Sequence, residues 1–178
     1  MKQVIDGYEI TTASIEAAEQ TKRGIESFIE WRMDPFDWLD RALETDADCV
    51  IASLVKGLLL VTARSKNFAP IISECIEHGE SREQELGMQE TLYFKALKAM
   101  SGFKVLEALE AYEVLLRIHP RDLMATRMLQ AELFWMGESR WMHRAMKNLE
   151  QAWKPEMPGS SYFYGDYAFA HEEAGFHE

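Results

Sequence analysis

Cysteine is scarce in this chain: two residues in 178, Cys49 and Cys75. That excludes a disulfide-stapled scaffold, and with no Cys-x-x-Cys spacing it excludes the usual zinc and redox pairs. Apolar neighbours predict two buried free thiols in a reducing compartment. Positive charge is also in short supply, with 19 Lys and Arg against 30 Asp and Glu and a net charge of −11. Nucleic-acid affinity comes largely from Lys and Arg meeting phosphates, so a nucleic-acid partner is excluded. The acidic surface instead suits solvent or a basic peptide.

Long apolar runs are missing as well. The longest, "VIASLVKGLLLV" (50–61), is interrupted by Lys56 and Gly57 and falls well short of the ~20 residues a membrane span needs. It reads as a buried helix. The start, "MKQVIDGYEITTAS", lacks the basic and apolar blocks of a signal peptide. The expectation is a cytoplasmic protein with no membrane partner.

Catalytic patterns are absent too. No G-x-S-x-G, Walker A or G-x-G-x-x-G occurs. "HEEAGFH" (171–177) places Gly175 where an H-E-x-x-H metal motif needs histidine, and His171 and His177 straddle that glycine. His78, His119 and His143 fall at helix ends or on an exposed face, where caps and solvent are the expected partners. The sequence therefore predicts no catalytic residue, no metal ligand and no cofactor.

What the chain does have is helical periodicity throughout, with no stretch of strand-like alternation. Thr12 is positioned to cap a first helix with Ile15, Ala18, Ile25, Phe28 and Ile29 on one face. Asp34 and Pro35 open a second. Asp46 or Asp48 starts a third over 48–64, and a fourth turns Phe68, Ile71, Ile72, Cys75 and Ile76 inward. The segment 78–87 reads as the longest connection, with a helical turn in its middle. Helices over 89–100, 103–118, 122–136, 138–153 and 161–174 complete nine.

Short turns between such helices imply antiparallel hairpins, and the repeats select the architecture. Ala42, Ile76, Leu115 and Leu149 hold equivalent places at spacings of 34, 39 and 34, the middle interval absorbing the 78–87 connection. A helix–turn–helix unit of about 34 residues is the tetratricopeptide period. Small residues are expected at the helix crossings: Gly57 and Ala96 in first helices, Ala69 and Ala108 in second ones. Ser101-Gly102, Gly137 and Gly175 are the expected turn-formers. "ALEAYEVLLRIHP" (108–120) is the best unit, with Tyr112 in the core and Pro120 at the exit. The fold expected is all-α, a right-handed α-solenoid of antiparallel helix hairpins forming one domain over 1–178.

Three segments carry a closer likeness: "SREQELGMQETLYFKALKAMSG" (81–102), "IHPRDLMATRMLQAELFWMGES" (118–139) and "WKPEMPGSSYFYGDYAF" (153–169). In order and spacing they resemble the tetratricopeptide repeat protein 38 family, over about residues 10–178. The resemblance implies a longer chain of further helical repeats, so that this one stops inside its next turn. It transfers no catalytic or binding residue.

The inward positions of the first helices are Leu54 and Leu58, then Tyr93, Leu97 and Met100, then Arg127, Ala131 and Phe134. With Arg127 as the single cation, a carboxylate clamp is not expected, and the face suits an apolar peptide. Tyr93, Arg127, Phe134 and Trp135 are the candidate peptide-binding residues. The function expected is a non-catalytic scaffold for a protein or peptide partner. Two alternatives remain: the repeat region of an enzyme whose site lies in missing C-terminal residues, or a self-assembly module. In the second, the uncapped helix 161–174, with Tyr162, Phe163, Tyr164, Tyr167 and Phe169, would pair with another copy.

If Tyr112 is core, Tyr112→Ala should destabilise the chain by about 3–5 kcal/mol. Wild-type thermal unfolding in that variant would overturn the assignment.

Overall fold

The computed structural model describes the backbone of residues 2–5 and 8–176, with side chains from Tyr8 onward. Among the described residues, nine α-helices account for most of the chain. The all-α class is thus what the structure shows, with one addition: a short antiparallel hairpin of β1 (Lys2–Ile5) and β2 (Tyr8–Thr11). The helices are α1 (Ile15–Ile29), α2 (Pro35–Thr45), α3 (Val50–Thr62), α4 (Ala69–Ser81), α5 (Met88–Ser101), α6 (Val105–Ile118), α7 (Leu123–Trp135), α8 (Ser139–Leu149) and α9 (Ser160–Glu173). They fall into two compact units, Met1–Ala111 and Tyr112–Glu178.

The hairpin corrects the expectation that no strand occurs. Its register pairs Ile5 with Tyr8, leaving two residues between the strands. Asp-Gly stands at that place in the sequence, a dipeptide favoured in two-residue hairpin loops. Strand β2 is held from its other edge by the first turn of α5. Glu9 N–H donates to Gln89 Oε1 at 2.7 Å, Thr11 N–H to Glu90 Oε1 at 2.6 Å, and Thr11 Oγ1–H to Glu90 Oε2 at 2.6 Å. Glu90 also accepts from Gly87 N–H at 2.8 Å, closing the start of its own helix. One buried carboxylate therefore satisfies donors on a strand and on a helix end at once.

The next residues are fixed in the same way. Thr12 does not cap α1 as expected. Its hydroxyl donates to Asp46, which also accepts from Ala13 N–H at 3.0 Å, and Ser14 is the cap, its Oγ accepting from Ala17 N–H at 3.2 Å. Those donors, the Thr12 hydroxyl first, hold the Asp46 carboxyl below the usual carboxylate range. With Asp46 occupied there, Cys49 rather than an aspartate stands at the start of α3. Ile15, expected inside, is exposed.

Helix α3 is the apolar run of the sequence, and nearly all of it is buried. Gly57 is a true crossing point. A Cβ there would stand 2.8 Å from Leu97 Cδ2 and 3.0 Å from Cys75 Cβ, so α3 meets α4 and α5 where it has no side chain. The matching site on α4 is not Ala69, which is exposed, but Gly79, whose Cβ would be 2.6 Å from Phe94 Cε2. Helix α4 therefore runs through the expected 78–87 connection to Ser81. What remains of it is 82–87, with a 3-10 turn over Glu83–Glu85. Ile72 and Cys75 are buried, whereas Phe68, Ile71 and Ile76 are half-buried. Both cysteines are buried free thiols, and burial pushes both thiols up.

Four helices end in one local geometry. Trp31, Phe103, Gly137 and Gly175 all have left-handed backbone (φ 56°, 58°, 74° and 83°). At each, that residue's N–H returns to the carbonyl three residues back, and the next N–H to the carbonyl five before it. This Schellman closure satisfies carbonyls that the helix leaves open. Arg64 is left-handed too, and Arg64 N–H bonds Val61 O at 3.2 Å. The left-handed residue thus recurs after α1, α3, α5, α7 and α9. At the third of these it is Phe103, not Gly102 as expected.

A bulky residue at positive φ is strained, by roughly 1–2 kcal/mol relative to right-handed backbone, a cost glycine avoids. Phe103 is 91% exposed and loses little packing on removal. Phe103→Gly should therefore raise stability by about 1 kcal/mol in urea denaturation. A lower midpoint in the variant would show that the turn is not held in this conformation.

Candidate functional site

The four residues selected from sequence separate into core and surface. Tyr93 on α5 is 0% exposed, and Leu54, Leu58, Leu97 and Met100 are buried with it. These residues form no peptide-binding face: in unit one the inward positions of the first helices are occupied by the protein's own side chains. That corrects Tyr93 as a binding residue.

Arg127 is also interior. Its guanidinium makes two bonds to Asp166 of α9, Nε to Oδ2 at 3.3 Å and Nη2 to Oδ1 at 3.0 Å. Gln130, one turn further along α7, donates from Nε2 to the backbone carbonyl of Asp166 at 2.7 Å. Burial pushes the Asp166 carboxyl up, while the Arg127 hydrogen bonds and charge pull the other way. Planar, two-point pairing fixes the approach of α7 and α9, and Arg127 is committed to that task. It is a positioning residue and offers no free cation to a ligand.

The other two candidates are at the surface. Phe134 is 40% and Trp135 68% exposed, at the C-terminal end of α7. Phe134 meets Trp135 edge-on, with ring centroids 5.7 Å apart, and Phe169 of α9 at 5.4 Å. Phe169 is 39% exposed, and Met136 next to Trp135 is exposed as well. Sequence reasoning placed Phe169 only among the aromatics of α9 and did not join it to α7. The structure does: the Arg127–Asp166 pair, two turns before Phe134 on α7 and one turn before Phe169 on α9, fixes the two helices side by side.

The remaining aromatics of α9 are partly covered. Phe163 is fully buried and stacks on Trp153 at 5.2 Å, and Tyr164 O–H donates to the Trp153 carbonyl at 3.3 Å. So α9 is not the bare aromatic ridge the sequence suggested: Tyr162, Tyr164 and Tyr167 are half-buried, and Phe169 is its exposed ring. Acidic residues follow Phe169 and Trp135 along the chain. Glu172 and Glu173 occupy the last turn of α9, and Glu138 follows the end of α7, all three exposed. Acids in a last helical turn lie against the negative end of the helix dipole, an unfavourable placement. The nearby cation along the chain is Arg140, at the start of α8.

Between α1 and α2 lies a shallow cleft of about 380 Å³ lined by Lys22, Arg23, Arg32, Glu19, Glu26 and Trp38 among others. Its charges largely cancel locally, as in the Lys22–Glu26 pair at 3.1 Å, and Arg23 and Arg41 lie over the Trp38 ring at 5.0 and 4.9 Å. His143 does not face solvent alone as expected. It pairs with His171 at 3.1 Å. The expected separation of His171 from His177 falls outside the described residues. Among the described residues, no helix is long and apolar enough to cross a membrane, and no group of three or more His, Cys, Asp or Glu side chains converges.

Removing one partner of the buried ion pair leaves the other charge uncompensated. Asp166→Ala should cost about 3–5 kcal/mol in urea denaturation, and the double change Arg127→Met with Asp166→Leu should recover most of it. If the double variant were as unstable as the single one, the pair would not be what positions α9.

No family model matches the chain, and no solved structure matches it.

Proposed function

We propose that the chain is a non-catalytic scaffold of tetratricopeptide-type helix hairpins, akin to the tetratricopeptide repeat protein 38 family, that binds a protein partner through Phe134, Trp135 and Phe169. The observation that carries this reading is the three-ring cluster itself. Large aromatic side chains held in contact yet left open to water are the composition of interaction hot spots, not of an inert surface. The hairpin-repeat architecture draws support from the left-handed turn closing α1, α3, α5 and α7 at intervals of 33 to 39 residues, and from the crossing at Gly57.

Charge selects the partner's chemistry. The chain carries −11, and along the sequence Glu138 lies three residues after Trp135 while Glu172 and Glu173 lie three and four residues after Phe169 on α9. A second copy would bring the same charge and be repelled. A segment presenting an apolar anchor between Lys or Arg residues would fill the ring cluster and relieve the acid-rich helix ends.

A fluorescein-labelled amphipathic peptide of Leu and Lys should bind the full chain in an anisotropy titration, while its Leu and Glu counterpart should not. Trp135→Ser should weaken binding at least about tenfold, as loss of a hot-spot side chain does. Equal binding of both peptides, or of wild type and Trp135→Ser, would overturn the proposal.

A further inference from the structure

Helices α8 and α9 are in contact, and each presents one imidazole to the other. Nε2 of His143 lies 3.1 Å from Nδ1 of His171. The ring centroids are 5.0 Å apart and the planes inclined by 59°, so the two nitrogens converge edge to edge rather than stacking face to face. A single N–H between them satisfies both, one ring donating and the other accepting.

The same spacing is the bite of a chelating pair. With metal–nitrogen bonds of ~2.0–2.1 Å, two imidazoles on one ion stand about 2.9 Å apart at a right angle and about 3.4 Å apart at the tetrahedral angle. The observed 3.1 Å lies between those limits. An ion could therefore take the place of the shared proton once both rings turn their lone pairs toward it, the proton moving to the other nitrogen of the donor ring.

We propose that His143 and His171 form a two-imidazole site for a divalent transition metal of the Zn²⁺, Ni²⁺ or Cu²⁺ kind, clipping α8 to α9. Nitrogen-only donors select such ions over Ca²⁺ and Mg²⁺, which require oxygen. Phe176 walls the pair, 4.7 Å from the His143 ring and 5.2 Å from that of His171, and Tyr167 lies 5.8 and 6.3 Å away. These rings limit water on their side and leave the ion's other positions to solvent. Lys147, on the same helix as His143, opposes any cation, so coordinate bonds rather than net charge must hold it. With two protein ligands the site is exchangeable and not a closed structural one.

The test uses the full, untagged chain, stripped with chelator and titrated calorimetrically with Zn²⁺, Ni²⁺ and Cu²⁺. One equivalent should bind, with affinity falling at least about tenfold in His143→Gln and in His171→Gln. His78→Gln and His119→Gln should leave it unchanged. Because either substitution could loosen α8 from α9, the electron paramagnetic resonance spectrum of Cu²⁺ on the unsubstituted chain supplies a separate reading, in which coupling to two imidazole nitrogens is expected. Absence of a one-equivalent site, its survival in both variants, or coupling to a single nitrogen would each overturn the proposal.

Discussion

A helix can take neighbouring side chains hard against its backbone where it gives up its own, and in the first unit Gly57 is such a place, as Gly79 is on α4. Gly57 sets α3 against Leu97 of α5 and Cys75 of α4 together, so one missing methyl group organises three helices. Around it α3 can be apolar on nearly every side, because neighbours close over it. Alanine at position 57 would have to displace Leu97 or part α3 from α4, and the surrounding packing leaves little slack. The buried inward residues Leu54, Leu58, Tyr93 and Leu97 follow from this closeness: helices that meet so tightly leave no room for a peptide between their own side chains.

The second unit solves the same problem with different chemistry. There a charged pair, Arg127 with Asp166, and an aromatic stack, Trp153 on Phe163, set α9. A polar anchor specifies orientation more sharply than an apolar one, since two hydrogen bonds must be made together. Phe134 and Phe169 inherit that precision, and their contact arises from helices fixed elsewhere along their length. The open ring cluster and the covered remainder of α9 are thus two outcomes of one docking geometry.

Local signals in the sequence located the helices well. Pro35 opens α2, Asp122 caps α7 by accepting from Ala125 N–H at 3.0 Å, and Gly137 closes α7, each acting on residues within one turn of itself. Orientation was less legible. An inward-facing position reads alike whether it lines a groove or a core, which is why Tyr93 and Arg127 looked like ligands for a peptide and proved to be interior. Pairings across long separations left no trace: His143 and His171 are 28 residues apart, and Phe134 and Phe169 further still. The strand pair is hard to read in the sequence for the opposite reason. Its one local signal, Asp-Gly, is short, and its stability comes from Gln89 and Glu90, far along the chain.

That last dependence has a kinetic side. Thr11 and Glu90 are 79 residues apart, and Glu9 and Gln89 are 80. Local helix hairpins can close as soon as their own residues exist, whereas contacts at such separation wait on slow loop closure and on the intervening chain. During synthesis the first strand pair must therefore stay undocked until the start of α5 has been made. The arrival of Gln89 and Glu90 is what seats β2, so a segment read early in the sequence waits on one made some eighty residues later.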